Sequence, residues 1–491
     1  MPGKLTIPEK VAYPLEELAW ECTKNAVAVS QYLSSHNLPQ PSHSPDGPSR
    51  TLPQGTPASI RQARESLMDA ALKLFQLAAG PSEFIPNLAP GFQYVACLTW
   101  LLRYDIFHLV PDSSPTATVS YADLAAAASV PEARLKSIIR MVMTCALFRE
   151  PSPNRVGHSA TSALLARDAD VHSWASYLST RSAPTALAMT AAHDRFGPNS
   201  VAKNETAYNV AFATELPFFD HLALDPKNTA EFAGYMRNVT TSEGVNIKHL
   251  VEGYPWADLS SSQQEGQPLI VDVGGSTGNA AIALAKSFPS LRFIVQDLPD
   301  NANAGRRAAA ASSLPEQILS RLTFQGHDFT EPQPVLGADV YLLRMILHDW
   351  PDHVAVTILK NLVPAMLEAD TKSKLIIMDT VLPAPNRGVP STVERIVRVR
   401  DLTMMQVFNS RERDLDQWRA LLAEADGRLR LRRVMEPFGS AMSLLEVELD
   451  LNWVKGETIE SKEGQEEVVV GAEEEEDSLD SGEDSNWDIS G

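Results

Sequence analysis

The sequence has few of the features that mark secreted or membrane proteins. Its only cysteines are Cys22, Cys97 and Cys145, too few and too scattered for a disulfide framework or a structural zinc site. No apolar run approaches the roughly 18 residues that a transmembrane helix needs. The first residues lack an apolar segment followed by a small-residue cleavage site, which argues against secretion. We therefore expect a cytoplasmic protein without membrane contact.

Basic side chains are also scarce, since 42 Lys and Arg stand against 62 Asp and Glu for a net charge of −20. Residues 451–491 alone hold 14 acidic and 2 basic side chains. Neither this tail nor the rest of the chain suggests the basic face that phosphate contacts require, so we expect no nucleic-acid partner. The Glu-, Asp-, Ser- and Gly-rich tail cannot bury enough apolar surface to offset its ordering entropy, which predicts disorder.

The chain nevertheless has room for two or three cores, because it is 491 residues long and 44% hydrophobic. Its composition changes along its length and predicts four parts. These are an N-terminal helix with a proline-rich linker at 1–60, a helical winged-helix-like dimerisation and substrate domain at 61–255, an α/β catalytic domain at 256–450 and the acidic tail at 451–491.

Residues 119–154 have the spacing of a winged helix. Ser120 precedes a short helix as a cap, a break at 129–131 leads to a second helix at 132–145, and a turn at 151–154 indicates a small wing. A DNA-reading helix would need a stronger basic face than this one offers. The weak basic signal favours the alternative, a scaffold for packing and dimerisation. The basic residues of the second helix are Arg134, Lys136 and Arg140.

From residue 268 onward, apolar strand-like runs alternate with helical stretches. This alternation predicts a parallel-rich sheet that is covered by helices on both faces. We expect strands at 269–273, 291–295, 322–324, 338–343, 374–378 and 442–449.

The sharpest motif is a buried strand that leads into a glycine turn and then a helix, over residues 269–284. Glycines let the backbone approach a ligand closely, and the helix start supplies free N–H groups. A dinucleotide-binding turn would read G-x-G-x-x-G, and from Gly274 this chain fails that pattern at the third and sixth positions. With Asp272 at its head, the turn suits an adenosyl sulfonium ligand instead.

Two polar residues follow later strands at the same edge of the predicted sheet. Asp297 comes 19 positions after Gly278, close to the interval at which an acid holds a ribose. Its alternative role is to cap the turn before Pro299. His348 follows another strand, at the edge where open α/β sheets bind ligands. A neutral imidazole there is suited to accept a proton near pH 7.

Together these motifs resemble the plant- and fungal-type S-adenosylmethionine-dependent O-methyltransferases of the caffeate and flavonoid group, a cation-independent class. The resemblance covers roughly residues 92–449. It implies a winged-helix-containing region that forms a homodimer, and a Rossmann-like domain that binds the cofactor without a metal. It also implies methyl transfer to a hydroxyl, expected to be phenolic, of a small aromatic secondary metabolite. The motifs are Gly274–Gly278, Asp297-Leu298-Pro299, Asp328-Phe329, Arg344 and His348-Asp349-Trp350.

The resemblance also assigns cofactor contacts to single residues. Three glycines would line the methionine part of the cofactor, an acid would hold its ribose, and an Asp-Phe pair would contact its adenine. A basic residue stands near the cofactor in this family. In the order of these roles, the residues are Gly274, Gly275 and Gly278, then Asp297, then Asp328 and Phe329, and finally Arg344.

For catalysis, His348 matches the family's general base, and Asp379 and Glu412 match the two acids that flank and orient it. The sequence departs from the family pattern at two positions. Ser276 replaces the middle glycine of the turn, and Asp379 is one methylene shorter than the usual Glu. Apolar positions of the acceptor pocket are matched by Phe232, Met236 and Met345.

Two other functions stay open on the sequence alone. A regulatory or binding protein can keep this fold without the reaction. An enzyme can also bind the same cofactor and use its sulfonium charge for a rearrangement or a decarboxylation. The complete set of His348, Asp379 and Glu412 favours methyl transfer.

Overall fold

The structure is a computed structural model that describes residues 13–261, 266–368, 373–384, 389–453 and 467–470. Its N-terminal half is almost entirely helical, and its C-terminal half alternates strands and helices. None of the described helices combines the length and the apolar composition that a membrane span requires.

The helices lie in two groups along the chain. Those of the N-terminal half are α1 Pro14–Ser35, α2 Ala58–Ala79, α3 Phe84–Arg103, α4 Ile106–Leu109, α5 Tyr121–Ala127, α6 Glu132–Met143, α7 Ala160–Arg167, α8 Ala169–Tyr177, α9 Ala183–Leu187, α10 Met189–Phe196, α11 Ala207–Ala211, α12 Phe218–Ala223, α13 Pro226–Thr241 and α14 Lys248–Glu252. Those of the C-terminal half are α15 Asn279–Ser287, α16 Pro299–Ala311, α17 Glu316–Leu319, α18 Asp352–Leu367, α19 Ser391–Phe408 and α20 Leu415–Ala425.

The strands belong to one small N-terminal sheet, one large C-terminal sheet and one two-stranded pair. They are β1 Val119–Ser120, β2 Arg149–Ser152, β3 Arg155–Gly157, β4 Leu269–Val273, β5 Arg292–Asp297, β6 Leu322–Gly326, β7 Val340–Arg344, β8 Lys374–Asp379, β9 Val381–Leu382, β10 Arg413–Asp414, β11 Leu429–Glu436, β12 Ser443–Leu449 and β13 Glu467–Val470. Single helical turns of other types lie at Pro81–Glu83, Leu178–Ser182, Glu243–Val245, Trp256–Ser261 and Leu347–Asp349.

The large sheet has the order β13-β11-β12-β8-β7-β4-β5-β6 among the described strands. The five strands from β8 to β6 in this order are mutually parallel, whereas β12 runs antiparallel to its neighbours β8 and β11. The chain moves outward from β4 through β5 to β6 and then returns to the other side of β4 with β7. This reversal opens a crevice at the carboxyl ends of β4 and β7.

The sheet separates two apolar cores, and successive residues of one strand point into different cores. Tyr341 and Leu343 of β7 pack with helices α18 and α20 on one face. Val340 and Leu342 of the same strand pack with α15 on the other face. Every residue of β4 is buried, as a parallel strand that is covered on both faces requires. The predicted Rossmann-like α/β fold is thereby confirmed.

The predicted winged helix is also present. The Ser120 hydroxyl accepts a hydrogen bond from the Asp123 N–H and caps α5, and α6 follows after a short break. The small sheet has the order β1-β3-β2 and forms the wing. These elements enclose an apolar core of their own, which includes Phe107, Leu135 and Ile139. In the predicted linker, residues 36–57 contain no helix or strand, and α1 packs along α2.

Four strands of the C-terminal half were not expected, namely the two-residue strands β9 and β10, the longer β11, and β13. The sequence of β11, Leu-Arg-Leu-Arg-Arg-Val-Met-Glu, alternates apolar and charged residues and therefore lacks the continuous apolar run of the other strands. In the tail that composition predicts to be disordered, β13 pairs in parallel with the free edge of β11. Its three consecutive valines favour a strand. The other tail residues after 453 lie outside the described ones, and the domain boundaries remain predictions.

The two-sided core gives a test of the fold. Leu342 is fully buried in the central strand β7, whereas Leu336 in the preceding loop is 57% exposed. We expect Leu342→Ala to lower the free energy of unfolding by about 2–5 kcal/mol, because it leaves a cavity beside α15. Leu336→Ala should change it by less than about 0.5 kcal/mol. Urea unfolding followed by circular dichroism measures both, and equal losses would contradict this core.

Candidate active site

The glycine turn between β4 and α15 has a backbone that few side chains tolerate. Gly274 and Gly278 have φ values of +74° and +84°. A Cβ atom added at Gly274 would lie 2.6 Å from Cδ1 of Ile346, so the turn also packs too closely for a larger residue. A tight left-handed turn at the carboxyl end of β4 therefore explains Gly274 and Gly278, whereas a Cβ atom added at Gly275 would lie 2.5 Å from Oδ2 of Asp272.

Asp297, at the end of β5, ties this turn to the neighbouring strand. Its Oδ2 accepts a hydrogen bond from the Ser276 N–H at 2.8 Å. Its Oδ1 accepts from the Leu298 N–H and from Asn301 Nδ2, both at 2.8 Å. Ser276, which replaces a glycine of the family pattern, takes a left-handed φ of +50°. The serine thus adopts the backbone that the turn requires, and the predicted ribose acid lies beside the turn.

A second acid lies beneath the turn. Asp272 of β4 is 1% exposed, and its Oδ2 has no hydrogen-bond partner among the described residues. Burial raises the pKa of Asp272 to about 6, against the opposing charge of Arg344. Arg344 ends β7 and donates from Nη2 to the Val245 carbonyl at 2.9 Å. Burial lowers the pKa of Arg344, against the charge of Asp272. The charge of each group therefore favours the ionised form of the other.

The predicted adenine pair follows β6. Asp328 accepts hydrogen bonds from the N–H and the hydroxyl of Thr330, at 2.9 and 2.7 Å. The ring of Phe329 lies edge-on to Trp350, with ring centres 5.6 Å apart. Phe329 Cε1 is also 3.4 Å from the position that a Gly274 Cβ would take. Phe329 of this pair therefore borders the glycine turn. On the neighbouring ring of Trp350, the Lys203 ammonium lies 3.9 Å from the ring centre.

His348 lies in the single helical turn Leu347–Asp349 that follows β7, and it is buried. Its Nδ1 is 3.0 Å from Glu412 Oε1, a hydrogen-bond distance. Its Nε2 is 3.6 Å from Oδ1 of Asp349. Asp379 is buried at the end of β8, and neither of its carboxyl oxygens has a hydrogen-bond partner in the described part of the chain. Of the two predicted orienting acids, only Glu412 touches the imidazole.

The acids around His348 determine its charge. Burial lowers the pKa of His348, but the charges of Asp349, Asp379 and Glu412 outweigh burial and raise this pKa to about 10. Burial raises the pKa of Asp379 to about 7, against the charge of the imidazolium. Burial would also raise the pKa of Glu412, yet the charge and hydrogen bond of His348 lower it. Glu412 is therefore the ionised partner of the imidazolium.

The predicted pocket residues fall into two apolar clusters. Phe232 of α13 packs with an aromatic cluster of the helical half, and Met236 lies one turn further along the same helix. Met345 packs instead against the core around α15 and has a left-handed φ of +56°. Besides Phe232, the aromatic cluster of the helical half contains Tyr177, Tyr208, Phe212, Phe218, Tyr235 and Phe408. The structure thus places Phe232 in the aromatic cluster, Met236 one turn further along α13, and Met345 against the core around α15, at the start of the turn that carries His348.

Sequence reasoning missed the roles of two charged residues in this region. Asp349 follows His348 directly, and its charge raises the pKa of the imidazole. Arg400 of α19 has its Nε 3.8 Å from Glu412 Oε1. The position of Asp349 in the His-Asp-Trp motif could have singled it out. No local signal marks Arg400, because its role depends on how α19 packs.

Comparisons with known proteins agree with this geometry. A family model described as an O-methyltransferase domain matches residues 198–427. The O-methyltransferase pgmB of Aspergillus terreus is 59% identical over 437 residues, which cover 89% of this chain and 96% of that protein. The O-methyltransferase aurJ of Gibberella zeae is 46% identical and covers 88% of this chain and 97% of its own length.

Solved structures share the fold. One described as a pericyclic reaction enzyme is 26% identical with a TM-score of 0.63, and covers 79% of this chain and 94% of its own. OxaC in complex with sinefungin and meleagrin is 22% identical with a TM-score of 0.65, and covers 88% of this chain and 99% of its own.

The glycine turn with its flanking acids, the buried histidine and the near full-length relatives lead to one family. Relatives of this identity and coverage extend well beyond the catalytic half. The chain belongs to the O-methyltransferase family, and the protein is an S-adenosylmethionine-dependent O-methyltransferase.

Proposed function

We propose that the acceptor is a phenolic hydroxyl of a small aromatic secondary metabolite and that His348 takes its proton. The observation that carries this proposal is the contact of Nδ1 with Glu412 Oε1 at 3.0 Å. When the imidazole is neutral, a proton on Nδ1 is donated to this carboxylate, and Nε2 is left as the accepting nitrogen. His348 therefore presents a single basic atom at the carboxyl edge of the sheet.

The residues around the glycine turn fit the cofactor. A Cβ at Gly274 would fill the space beside Ile346, and Asp272 keeps a buried, unpartnered oxygen there. A buried carboxylate of this kind suits a ligand that brings positive charge. When bound, S-adenosylmethionine supplies an electrophilic methyl group with a neutral thioether as leaving group. The residues that would hold it are Gly274, Gly275, Gly278, Asp297, Asp328, Phe329 and Arg344.

The charge of the site suits a phenol. A phenol has a pKa near 10, so it is mostly neutral at pH 7. Because the surrounding acids raise the pKa of His348 to about 10, the pKa values of base and phenol are matched, but only the small neutral fraction of the imidazole present at pH 7 can take the proton. Glu412 remains ionised and stabilises the imidazolium that forms.

The aromatic cluster around Phe232 supports a flat acceptor. The rings of Tyr177 and Tyr235 stack with centres 4.4 Å apart, and Phe218 meets Phe232 edge-on at 5.5 Å. Aromatic side chains pack well in offset and edge-on arrangements against other rings. Most of this cluster comes from α8, α11, α12 and α13, and Phe408 comes from α19, so mainly the helical half of the chain would select the acceptor.

An exposed apolar face on α3 supports a homodimer. Phe84, Ile85, Leu88 and Phe92 are 58–68% exposed although they are large and apolar. Exposed patches of this kind are typical of protein interfaces. A second copy of the chain is the partner that the family resemblance implies.

One structural neighbour supports a second candidate reaction. The enzyme that is 26% identical is described as catalysing a pericyclic reaction, so this fold also carries chemistry without methyl transfer. An isomerisation would leave the mass of the acceptor unchanged, whereas O-methylation adds one methylene unit. The mass of the product therefore separates the two candidates.

The proposed reaction is tested with methyl-labelled S-adenosylmethionine and a panel of phenols that have one to three fused rings, alongside a metabolite extract of the source organism. We expect a labelled product that is heavier by one methylene unit. His348→Ala should lower kcat by about 10²- to 10⁴-fold and leave the Kd of the cofactor unchanged in calorimetry. His353→Ala, an exposed histidine on the nearby α18, is the matched control. Near wild-type turnover by His348→Ala would end the base assignment.

The raised pKa of His348 predicts a pH dependence. Only the neutral imidazole accepts a proton, and its pKa lies at about 10. We therefore expect kcat/KM to rise nearly tenfold per pH unit between about pH 7 and about pH 9. Glu412→Gln removes one charge that raises this pKa, so the rising limb should move to lower pH while the maximal rate falls. A kcat/KM that is constant across this range would contradict an imidazole that is protonated at neutral pH.

The proposed dimer is tested by light scattering after gel filtration. The wild-type protein should have twice the chain mass of 53.6 kDa. Phe84→Glu combined with Phe92→Glu should give a monomer, because two charges cannot be buried in an apolar interface without partners. Leu224→Glu, at a residue that is 69% exposed beyond the end of α12, should remain a dimer. A dimeric double variant would place the interface elsewhere.

A further inference from the structure

The segment Ser410–Arg413 connects α19 to β10. Its side chains contact the ring of His348 and also the backbone carbonyls of the turn that carries His348. The Ser410 hydroxyl donates to the His348 carbonyl at 2.6 Å. Arg413 donates from Nη1 to the Leu347 carbonyl and from Nη2 to the Trp350 carbonyl, each at 2.9 Å. Three carbonyls of the four residues 347–350 therefore bind side chains of the same segment that supplies Glu412.

Arg413 is itself fixed in place. It is 1% exposed, and its Nε and Nη2 donate to Asp352 Oδ1 at 3.0 and 2.8 Å. Its guanidinium carbon lies 5.3 Å from the centre of the Trp418 ring. Its backbone pairs with Val381, two residues beyond Asp379. A buried arginine is costly unless its donors are satisfied, and here four hydrogen bonds satisfy it, two of them to the Asp352 carboxylate.

The turn that Arg413 holds has little rigidity of its own. Met345, which leads into it, has a φ of +56°, a region that is unfavourable for a side chain of this size. The helical turn itself spans only Leu347–Asp349. Such a strained connection keeps one geometry only when surrounding contacts impose it, and residues 410–413 supply the side-chain hydrogen bonds to three carbonyls of this turn.

We propose that Arg413 is a positioning residue whose planar guanidinium fixes the direction in which His348 presents Nε2. It acts through the carbonyls of Leu347 and Trp350 and touches no reacting atom. This inference rests on the proposed role of His348 as base. A lysine carries the same charge but lacks the rigid fork, so it cannot reach Leu347, Trp350 and Asp352 at once.

The test compares Arg413→Lys with Arg321→Lys. Arg321 is a matched control because it also donates to backbone carbonyls and lies away from His348, directly before the edge strand β6. The carbonyls are those of Ala285, Phe288, Leu291 and Gln317. With the best phenol of the panel, Arg413→Lys should lower kcat by about tenfold or more, since misplacing a catalytic group by about 1 Å can cost 10²-fold. The cofactor Kd and the KM of the phenol should change by less than about threefold. Arg321→Lys should keep its kcat even if its melting temperature falls as far.

A second readout does not depend on turnover. Hydrogen exchange in peptides that cover residues 345–352 should speed up in Arg413→Lys and remain unchanged in Arg321→Lys. Wild-type kcat in Arg413→Lys would overturn the proposal, and so would equal losses of kcat in both variants, which would indicate general destabilisation.

Two further controls keep the outcome decisive. If Arg413→Lys does not fold, Asp352→Asn replaces it, because it weakens the carboxylate that holds the Arg413 guanidinium, and an unchanged kcat together with unchanged exchange at residues 345–352 in that variant overturns the proposal. The proposed function has failed if the wild-type protein methylates nothing or if the His348→Ala variant is active. If His348→Ala is inactive but Arg413→Lys has normal turnover, only the positioning role of Arg413 is refuted.

Discussion

The imidazole of His348 is buried where water cannot balance its charge, and the surrounding residues must do so. Glu412 contributes the ionised carboxylate, Asp379 and Asp349 raise the pKa further, and Arg400 lies 3.8 Å from Glu412. These groups come from the turn after β7, the end of β8, α19 and the segment before β10. A change in any of these elements alters the charge balance, so the position and charge of the imidazole depend on the packing of the whole C-terminal half.

The strand order explains how these groups meet. Because β4 lies between β5 and β7, the carboxyl ends of the three strands are neighbours at the point where the sheet order reverses. The β4 and β5 side brings together Asp272, Asp297 and the glycine turn, which suit a cofactor. The β7 and β8 side brings together His348 and Asp379, which suit proton transfer. The two tasks therefore lie side by side on one sheet edge, because β4 and β7 are hydrogen-bonded neighbours.

Much of this follows from sequence, because buried parallel strands and a glycine turn leave local patterns. The continuous apolar run Leu269–Val273 predicts a buried strand from its residues alone. The strand β11 was not predicted, because arginines interrupt its apolar residues. The site is harder to predict. Glu412 and His348 are 64 residues apart, and only the family resemblance joins them. A single sequence cannot distinguish a buried Arg413 from the exposed Arg411 beside it, since burial depends on tertiary contacts.

The cost of burying these charges bears on why they are present. Replacing a buried ion pair by apolar side chains of similar size is often neutral or stabilising, because the desolvation of two charges is expensive. Arg413, Asp352, His348 and Glu412 therefore add little to the stability of the fold that packed leucines would not also provide. Apolar residues, however, cannot hold carbonyls in a set direction or fix which nitrogen of an imidazole carries the proton. The cluster is thus best explained by orientation of the imidazole, and stability is maintained by the two apolar cores on either side of the sheet.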